Sequence, residues 1–276
     1  MERGDVKKDT CTAIILAAGQ GKRMNSKIPK LYLELQGKPI LYYTLQTFTD
    51  SQYIDRVILV VGEGQIEQVQ NDIVAHYNFS KVTDVIEGGK ERYDSVWCAL
   101  QCISDKQDSY VLRKDARENA NAKGLADRQS SYVFIHDGAR AFVSEEIIKR
   151  AYENVLKYKA CVVGMPVKDT IKIVDNNQLV NETPDRKFLW QAQTPQVFEA
   201  GLIIEAYENV MNHRSDFSAD MITDDSMLVE QLGKCKVQLV QGSYDNIKIT
   251  TPEDIAVAKQ ICETKRSRRP DDRVEV

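Results

Sequence analysis

The 276-residue sequence has no run approaching 18 apolar residues, so nothing in it reads as a membrane-spanning helix. Its six cysteines, at positions 11, 98, 102, 161, 235 and 262, include no C-x-x-C pair. That argues against both a structural zinc site and a dense disulfide framework. Cys98 and Cys102 stand one helical turn apart, a spacing that suits small apolar packing better than a metal or redox pair. Histidine is scarce: His76, His136 and His213 are far apart and show no ligand spacing. Charge of one sign is also lacking, since 37 basic residues face 41 acidic ones for a net −4. Such a chain has no general attraction for nucleic acid or an acidic membrane, and any cationic site must be local. The opening residues carry no apolar core of the signal-peptide kind, and the expected location is the cytoplasm.

One dense local motif is present. Ala13-Ile-Ile-Leu-Ala-Ala-Gly-Gln-Gly-Lys-Arg-Met24 runs an apolar strand into a glycine loop, followed by Pro29-Lys30. Gly19 and Gly21 lack a Cβ and allow backbone N–H groups to approach an anion, while Lys22, Arg23 and Lys30 supply charge. The P-loop requires Ser or Thr after Gly-Lys, and Arg23 stands there; the dinucleotide fingerprint requires a third glycine, and Met24 occupies that slot. A triphosphate suits what remains. A buried strand ending in a solvated glycine turn would look similar from this segment alone.

Apolar, β-branched runs at Ala13–Ala17, Val57–Val61, Lys81–Ile86, Tyr132–His136, Ala160–Met165 and Val237–Val240 read as strands. Helical spacing marks Ile40–Phe48, Ile66–Tyr77, Tyr93–Ile103, Glu145–Tyr158, Leu202–Met211, Ile222–Leu232 and Pro252–Cys262. This alternation predicts a single-domain, doubly wound α/β fold over residues 11–264 with a mostly parallel mixed sheet. Ligands in such sheets lie beyond the carboxyl ends of the strands, where Ala18–Lys30 and Asp137–Arg140 fall. Ser104–Ser131 is strongly polar and reads as a surface insertion or a short exposed helix. Thr170–Val180 alternates around Asp-Asn-Asn and reads as a β-hairpin within a projecting arm over 168–190. Residues 265–276 read as a charged flexible tail.

The blocks L-A-A-G-Q-G-K-R-M-N-S-K-I-P-K-L-Y, I-H-D-G-A-R, V-K-D-T, Q-T-P-Q, I-T-D-D and D-N-I-K-I-T-T-P-E-D occur in that order between about Ala13 and Cys262. Together they resemble the 2-C-methyl-D-erythritol 4-phosphate cytidylyltransferase family. The resemblance implies a nucleotide-diphospho-sugar-transferase-like fold and transfer of CMP from CTP to a polyol phosphate, with pyrophosphate released, in non-mevalonate isoprenoid synthesis. The ribitol 5-phosphate cytidylyltransferases share several blocks and form the alternative; a catalytically silent nucleotide-binding protein is a third reading. No Ser–His–Asp set or carboxylate pair stands out, and this chemistry needs none, because a phosphate monoester is mostly dianionic near neutral pH.

By the resemblance, Arg23 and Lys30 are the catalytic cations on the triphosphate. Ala17, Ala18, Gly19 and Gly21 cradle phosphate, and Gly88, Gly89 and Ser95 hold cytosine and ribose, although Asp94 and Ser95 also read as helix-cap residues. Asp137, with Ala139 and Arg140 beyond it, joins the nucleotide site. A carboxylate facing a triphosphate implies Mg²⁺ or another divalent cation on Asp137, whose alternative reading is a turn cap. Ala141 departs from the family, in which proline commonly follows the arginine. Thr170, Arg186, Thr194, Thr223 and Lys248 are implied for the acceptor phosphate. The arm implies a homodimer in which Thr170 and Arg186 serve the neighbouring subunit.

Overall fold

The structure, a computed structural model, describes residues 9–19, 29–107, 131–213 and 222–267. The strands and helices follow in chain order as β1 (Thr10–Leu16), β2 (Glu34–Leu35), β3 (Lys38–Pro39), α1 (Ile40–Asp50), β4 (Arg56–Val61), α2 (Ile66–Val69), β5 (Val82–Glu87), α3 (Arg92–Gln107), β6 (Ser131–Asp137) and α4 (Glu145–Tyr158). They continue as β7 (Ala160–Pro166), β8 (Ile173–Val174), β9 (Val180–Glu182), β10 (Trp190–Glu199), α5 (Ala200–Asn212), α6 (Asp225–Leu232), β11 (Gln238–Gln241) and α7 (Pro252–Ser267).

Seven strands form one sheet in the order β11-β7-β10-β6-β1-β4-β5. β1 pairs in parallel with β4 and β6, β4 with β5, and β11 with β7, whereas β10 runs antiparallel between β6 and β7. Alternation along the strands feeds two cores. Ala13, Ile15, Leu59 and Phe134 pack toward α1, α4 and α7; Ile14, Ile58, Val133 and Ile135 pack toward α3, α5 and α6. Burial on both faces explains why the strands read as unbroken apolar runs. Among the described residues, no helix is long and apolar enough to cross a membrane.

Each strand and helix anticipated from periodicity has a counterpart; α4 has the anticipated ends, Glu145 and Tyr158, and at least one end of each of the others shifts. The segment Ile66–Tyr77 is no uniform α-helix, because α2 gives way at Gln70–Ala75 to a wider π-helical turn. β10 has no counterpart among the anticipated strands. Its Pro195 lacks an N–H and weighs against a central strand; the chain accommodates it by a register shift between Ala192 and Gln196. Of the polar insertion, Ser104–Gln107 completes α3 and Ser131 opens β6, and the remainder lies outside the described residues. α7 runs to Ser267, so the first part of the tail segment is helical.

The hairpin is present as β8 paired with β9, and Asp175 closes its turn by accepting the Asn177 and Leu179 N–H groups on Oδ1 at 2.8 and 2.9 Å. Ile173, Val174, Leu179, Val180 and Phe188 are exposed on this arm, Leu179 to 65% and Phe188 to 75%.

Candidate active site

The carboxyl ends of β1, β5 and β6 open onto a cleft of about 200 Å³. Ala18 and Gly19 follow β1, Gly89 precedes α3, Arg92 and Ser95 lie in the first turn of α3, and Asp137 and Ala139 close β6. Lys30, in a short 3-10 turn, and Lys248, in the loop before α7, complete it.

Glycine is required at two approaches. A Cβ on Gly138 would lie 2.9 Å from the Leu16 carbonyl, and one on Gly88 2.5 Å from Ser95 Oγ and 2.8 Å from Ala18 Cβ. Gly88 thus seats the start of α3 against the end of β1. Asp94 accepts the Glu91 N–H at 3.1 Å, which is half of a capping box. Ser95 is buried and donates to the Glu91 carbonyl at 3.2 Å, so its hydroxyl is engaged by its own helix.

Asp137 is the electrostatic centre. Its Oδ2 lies 2.9 Å from Lys248 Nζ and 3.8 Å from Arg140 Nε, and its Oδ1 3.4 Å from Arg92 Nε. Burial pushes its pKa up, but Arg92, Lys248 and Arg140 outweigh that and hold the carboxyl well below the usual range. Arg92 is fixed from behind. Its two terminal nitrogens donate to Asp225 at 2.8 and 2.7 Å, and Asp225, 0% exposed, also accepts the Tyr207 hydroxyl at 2.6 Å. Such a bidentate pair holds the guanidinium in one plane beside Asp137.

The Lys248 loop is tied to the β6 loop. Ile249 N–H donates to the Ala139 carbonyl at 2.9 Å, Arg140 donates to the Asn246 carbonyl at 2.8 Å, and Lys30 Nζ donates to the Ile249 carbonyl at 3.1 Å. Arg140 therefore braces the loop with one end and faces Asp137 with the other.

Not every residue singled out in the sequence reaches the cleft. Ala17 is buried and its N–H donates to Val60 at 2.7 Å, so that amide serves the sheet rather than a phosphate. Thr194 is buried behind Asp137, whose N–H it accepts at 3.1 Å, and its oxygen lies 3.0 Å from His136 Nδ1. Thr223 is exposed ahead of α6, its hydroxyl 3.8 Å from Met227 Sδ. Thr170 and Arg186 lie on the exposed arm, outside the cleft, and Arg186 donates to the Lys168 carbonyl at 2.6 Å. Gly21 and Arg23, with Lys22, lie outside the described residues.

Sequence reasoning passed over Arg92, Asp225, Tyr207 and His136. Two signals were available: Arg92 stands three residues before Ser95, and Asp225 ends the I-T-D-D block. His136 Nε2 lies 3.2 Å from the Arg140 carbonyl, which can only accept, so Nε2 carries the proton and bare Nδ1 accepts from Thr194. Full burial lowers its pKa to about 3 from 6.5. Because the unfolded chain binds the proton first as pH falls, stability should drop by about 2 kcal/mol from this residue between pH 7 and pH 5. Chemical denaturation at both pH values checks this: His136→Gln should show a shallower loss than the unsubstituted protein, and equal slopes would mean that His136 does not titrate as an isolated buried imidazole.

Parallel strand ends that open on Lys30, Arg92 and Lys248 around one carboxylate make a cationic cleft suited to a polyanionic ligand, and the relatives of this chain are enzymes of the nucleotidyltransferase class. The family model described as IspD, 2-C-methyl-D-erythritol 4-phosphate cytidylyltransferase, matches residues 11–126 and 113–264. The chain belongs to that family. A relative of that name from Lachnospira eligens is 47% identical over 247 residues, covering 90% of this chain and 96% of the relative. Another from Lachnoclostridium phytofermentans is 43% identical over 250 residues, covering 91% and 95%. The crystal structure of 4-diphosphocytidyl-2C-methyl-D-erythritol synthase from Anaerococcus prevotii superposes with a TM-score of 0.72 at 33% identity, covering 94% of this chain and 98% of that one.

Proposed function

We propose that the protein transfers CMP from CTP to 2-C-methyl-D-erythritol 4-phosphate, forming 4-diphosphocytidyl-2-C-methyl-D-erythritol and pyrophosphate in the non-mevalonate isoprenoid pathway. The observation that carries this reading is the convergence of Lys30, Arg92 and Lys248 on the Asp137 cleft in a chain of this family. An oxygen of the acceptor phosphate forms a bond to the α-phosphorus, and the bond from that phosphorus to the oxygen bridging the β-phosphorus breaks, pyrophosphate taking the electron pair. The nucleophile is already anionic, so the chain's task is to hold two polyanions together and stabilise charge at the α-phosphorus. Lys30 supplies fixed charge beside the triphosphate, Lys248 meets acceptor phosphate, and the cleft face of α3 holds the nucleoside.

A divalent cation fits this donor set. Among the described residues no three His, Cys, Asp or Glu side chains form a metal cage, but Mg²⁺ at nucleotide sites takes one or two carboxylates and completes its shell with phosphate oxygens and water. Asp137 would hold it, and the ion would supply charge neutralisation between the phosphates.

Pyrophosphate release measured with CTP, Mg²⁺ and each acceptor separately tests the reaction. Release with methylerythritol phosphate and little with ribitol 5-phosphate is expected. Preference for ribitol 5-phosphate would replace the acceptor, and no release with either would leave a silent nucleotide binder.

The arm's exposed apolar residues suit a second copy of the chain, and a homodimer would bring Thr170 and Arg186 to the neighbouring site. Arg186→Ala should then raise the KM for the polyol phosphate with little change in CTP binding. Mixing Arg186→Ala with Lys30→Ala protein should restore part of the activity, because one site of each heterodimer has both residues. No restoration in a verified dimer would make the site intramolecular.

A further inference from the structure

A second cavity, about 470 Å³ and larger than the Asp137 cleft, lies between α1, the end of α7 and the chain after β6. It shares no lining residue with that cleft. Its walls carry the rings of Tyr42, Tyr43 and Phe142, with the Tyr42 and Tyr43 centroids 5.4 Å apart and edge to face. Lys38 Nζ lies 3.9 Å from the Tyr42 ring centroid, and Lys265 Nζ 5.2 Å from that of Phe142. Among the described residues, neither ammonium forms a salt bridge with a carboxylate.

Lys38 is supported by an aromatic face rather than by a counter-ion, and Lys265, which feels the carboxylates of Asp245 and Glu146 from beyond salt-bridge distance, adds a second ammonium, so the cavity offers cations above an apolar floor. The volume falls within the usual range for small-molecule pockets, about 300–1,000 Å³. A phosphate or sulfate alone would leave the rings uncovered, and a neutral hydrocarbon would leave the Lys38 ammonium without a counter-charge. We infer that this cavity is a second ligand site, for a small organic anion with a ring-sized apolar body.

Its position gives such a ligand a route to the reaction. Ala141, Phe142 and Val143 of the wall stand four to six residues beyond Asp137 on one loop. α1 holds that loop through Thr44 Oγ1, which donates to the Gly138 carbonyl at 3.0 Å; Thr47 Oγ1, bonded to the Tyr43 carbonyl of its own helix at 3.1 Å, lies 3.5 Å from the Val143 carbonyl. Ala141 lies in the wall itself.

The probe is 8-anilinonaphthalene-1-sulfonate, an anion whose apolar body is a naphthalene with an anilino ring, titrated by fluorescence with CTP and Mg²⁺ at saturation so that the nucleotide cleft is blocked. Saturable one-to-one binding is expected, weakened about tenfold in the double variant Lys38→Gln, Lys265→Gln and unchanged in Lys30→Ala. Gln46→Trp, on the cavity wall in α1, should abolish binding by filling the space. Circular dichroism establishes that each variant is folded. Absence of saturable binding under CTP saturation, or binding indifferent to both cavity variants, would overturn the inference.

Discussion

Lys30→Ala is expected to lower turnover by about 10²- to 10³-fold while leaving the melting temperature nearly unchanged. Two magnitudes decide the contrast. The bond from Lys30 to the Ile249 carbonyl is a partly buried contact whose loss costs about 1 kcal/mol of stability, whereas a preorganised donor aimed at developing charge is worth about 3–4 kcal/mol of barrier. The effect should therefore appear in kcat more than in folding. Steady-state kinetics beside thermal melts checks it, and near-normal turnover in a folded Lys30→Ala protein would remove Lys30 from the mechanism.

Asp137→Asn should be costly in two ways. Turnover should fall at least about 10²-fold, because the carboxylate that orders Arg92 and Lys248 and would hold the divalent cation is gone. Stability should also fall, because three cations would face one another without their shared anion. A fully buried pair broken in this way loses about 3–5 kcal/mol, but the Arg92 and Lys248 side chains are partly exposed, 31% and 39%, and solvent screening reduces the expected loss to about 1–3 kcal/mol.

The pH dependence identifies the cause. A carboxylate whose folded pKa is depressed contributes stability above its unfolded pKa, near 4, and loses it as pH falls through the lower folded value. Denaturation midpoints between pH 5 and pH 2 should consequently fall less steeply in Asp137→Asn than in the unsubstituted protein. Parallel curves would mean that Asp137 is not held ionised by its neighbours.

Much of this architecture was legible in the sequence because the sheet is buried on both faces. Unbroken runs such as Val57–Val61 and Tyr132–His136 have one good solution, a parallel strand between helices. β10 escaped notice because Pro195 removes a backbone donor from a central strand, and only the tertiary pairing reveals the register shift that tolerates it. At the site, Gly19 and Lys30 were visible in the glycine loop that follows β1, whereas Asp137 and Lys248 stood out only through the family resemblance, because a turn aspartate or a loop lysine has common structural uses. Thr194 was visible as a hydroxyl but not as a buried one. Its role behind Asp137 depends on His136, 58 residues away along the chain. Asp225 was hidden for the same reason: it contacts Arg92 across 133 residues of sequence, and no local pattern specifies that pairing.

Phosphorus NMR of a complete reaction mixture tests the central claim most directly, because it follows the acceptor phosphate as well as the nucleotide. With CTP, Mg²⁺ and methylerythritol phosphate, the monophosphate signal should disappear as two coupled diphosphate signals of the product grow, with one pyrophosphate formed per product molecule. An unchanged monophosphate signal while CTP breaks down to CMP would show hydrolysis instead of transfer and would contradict the account.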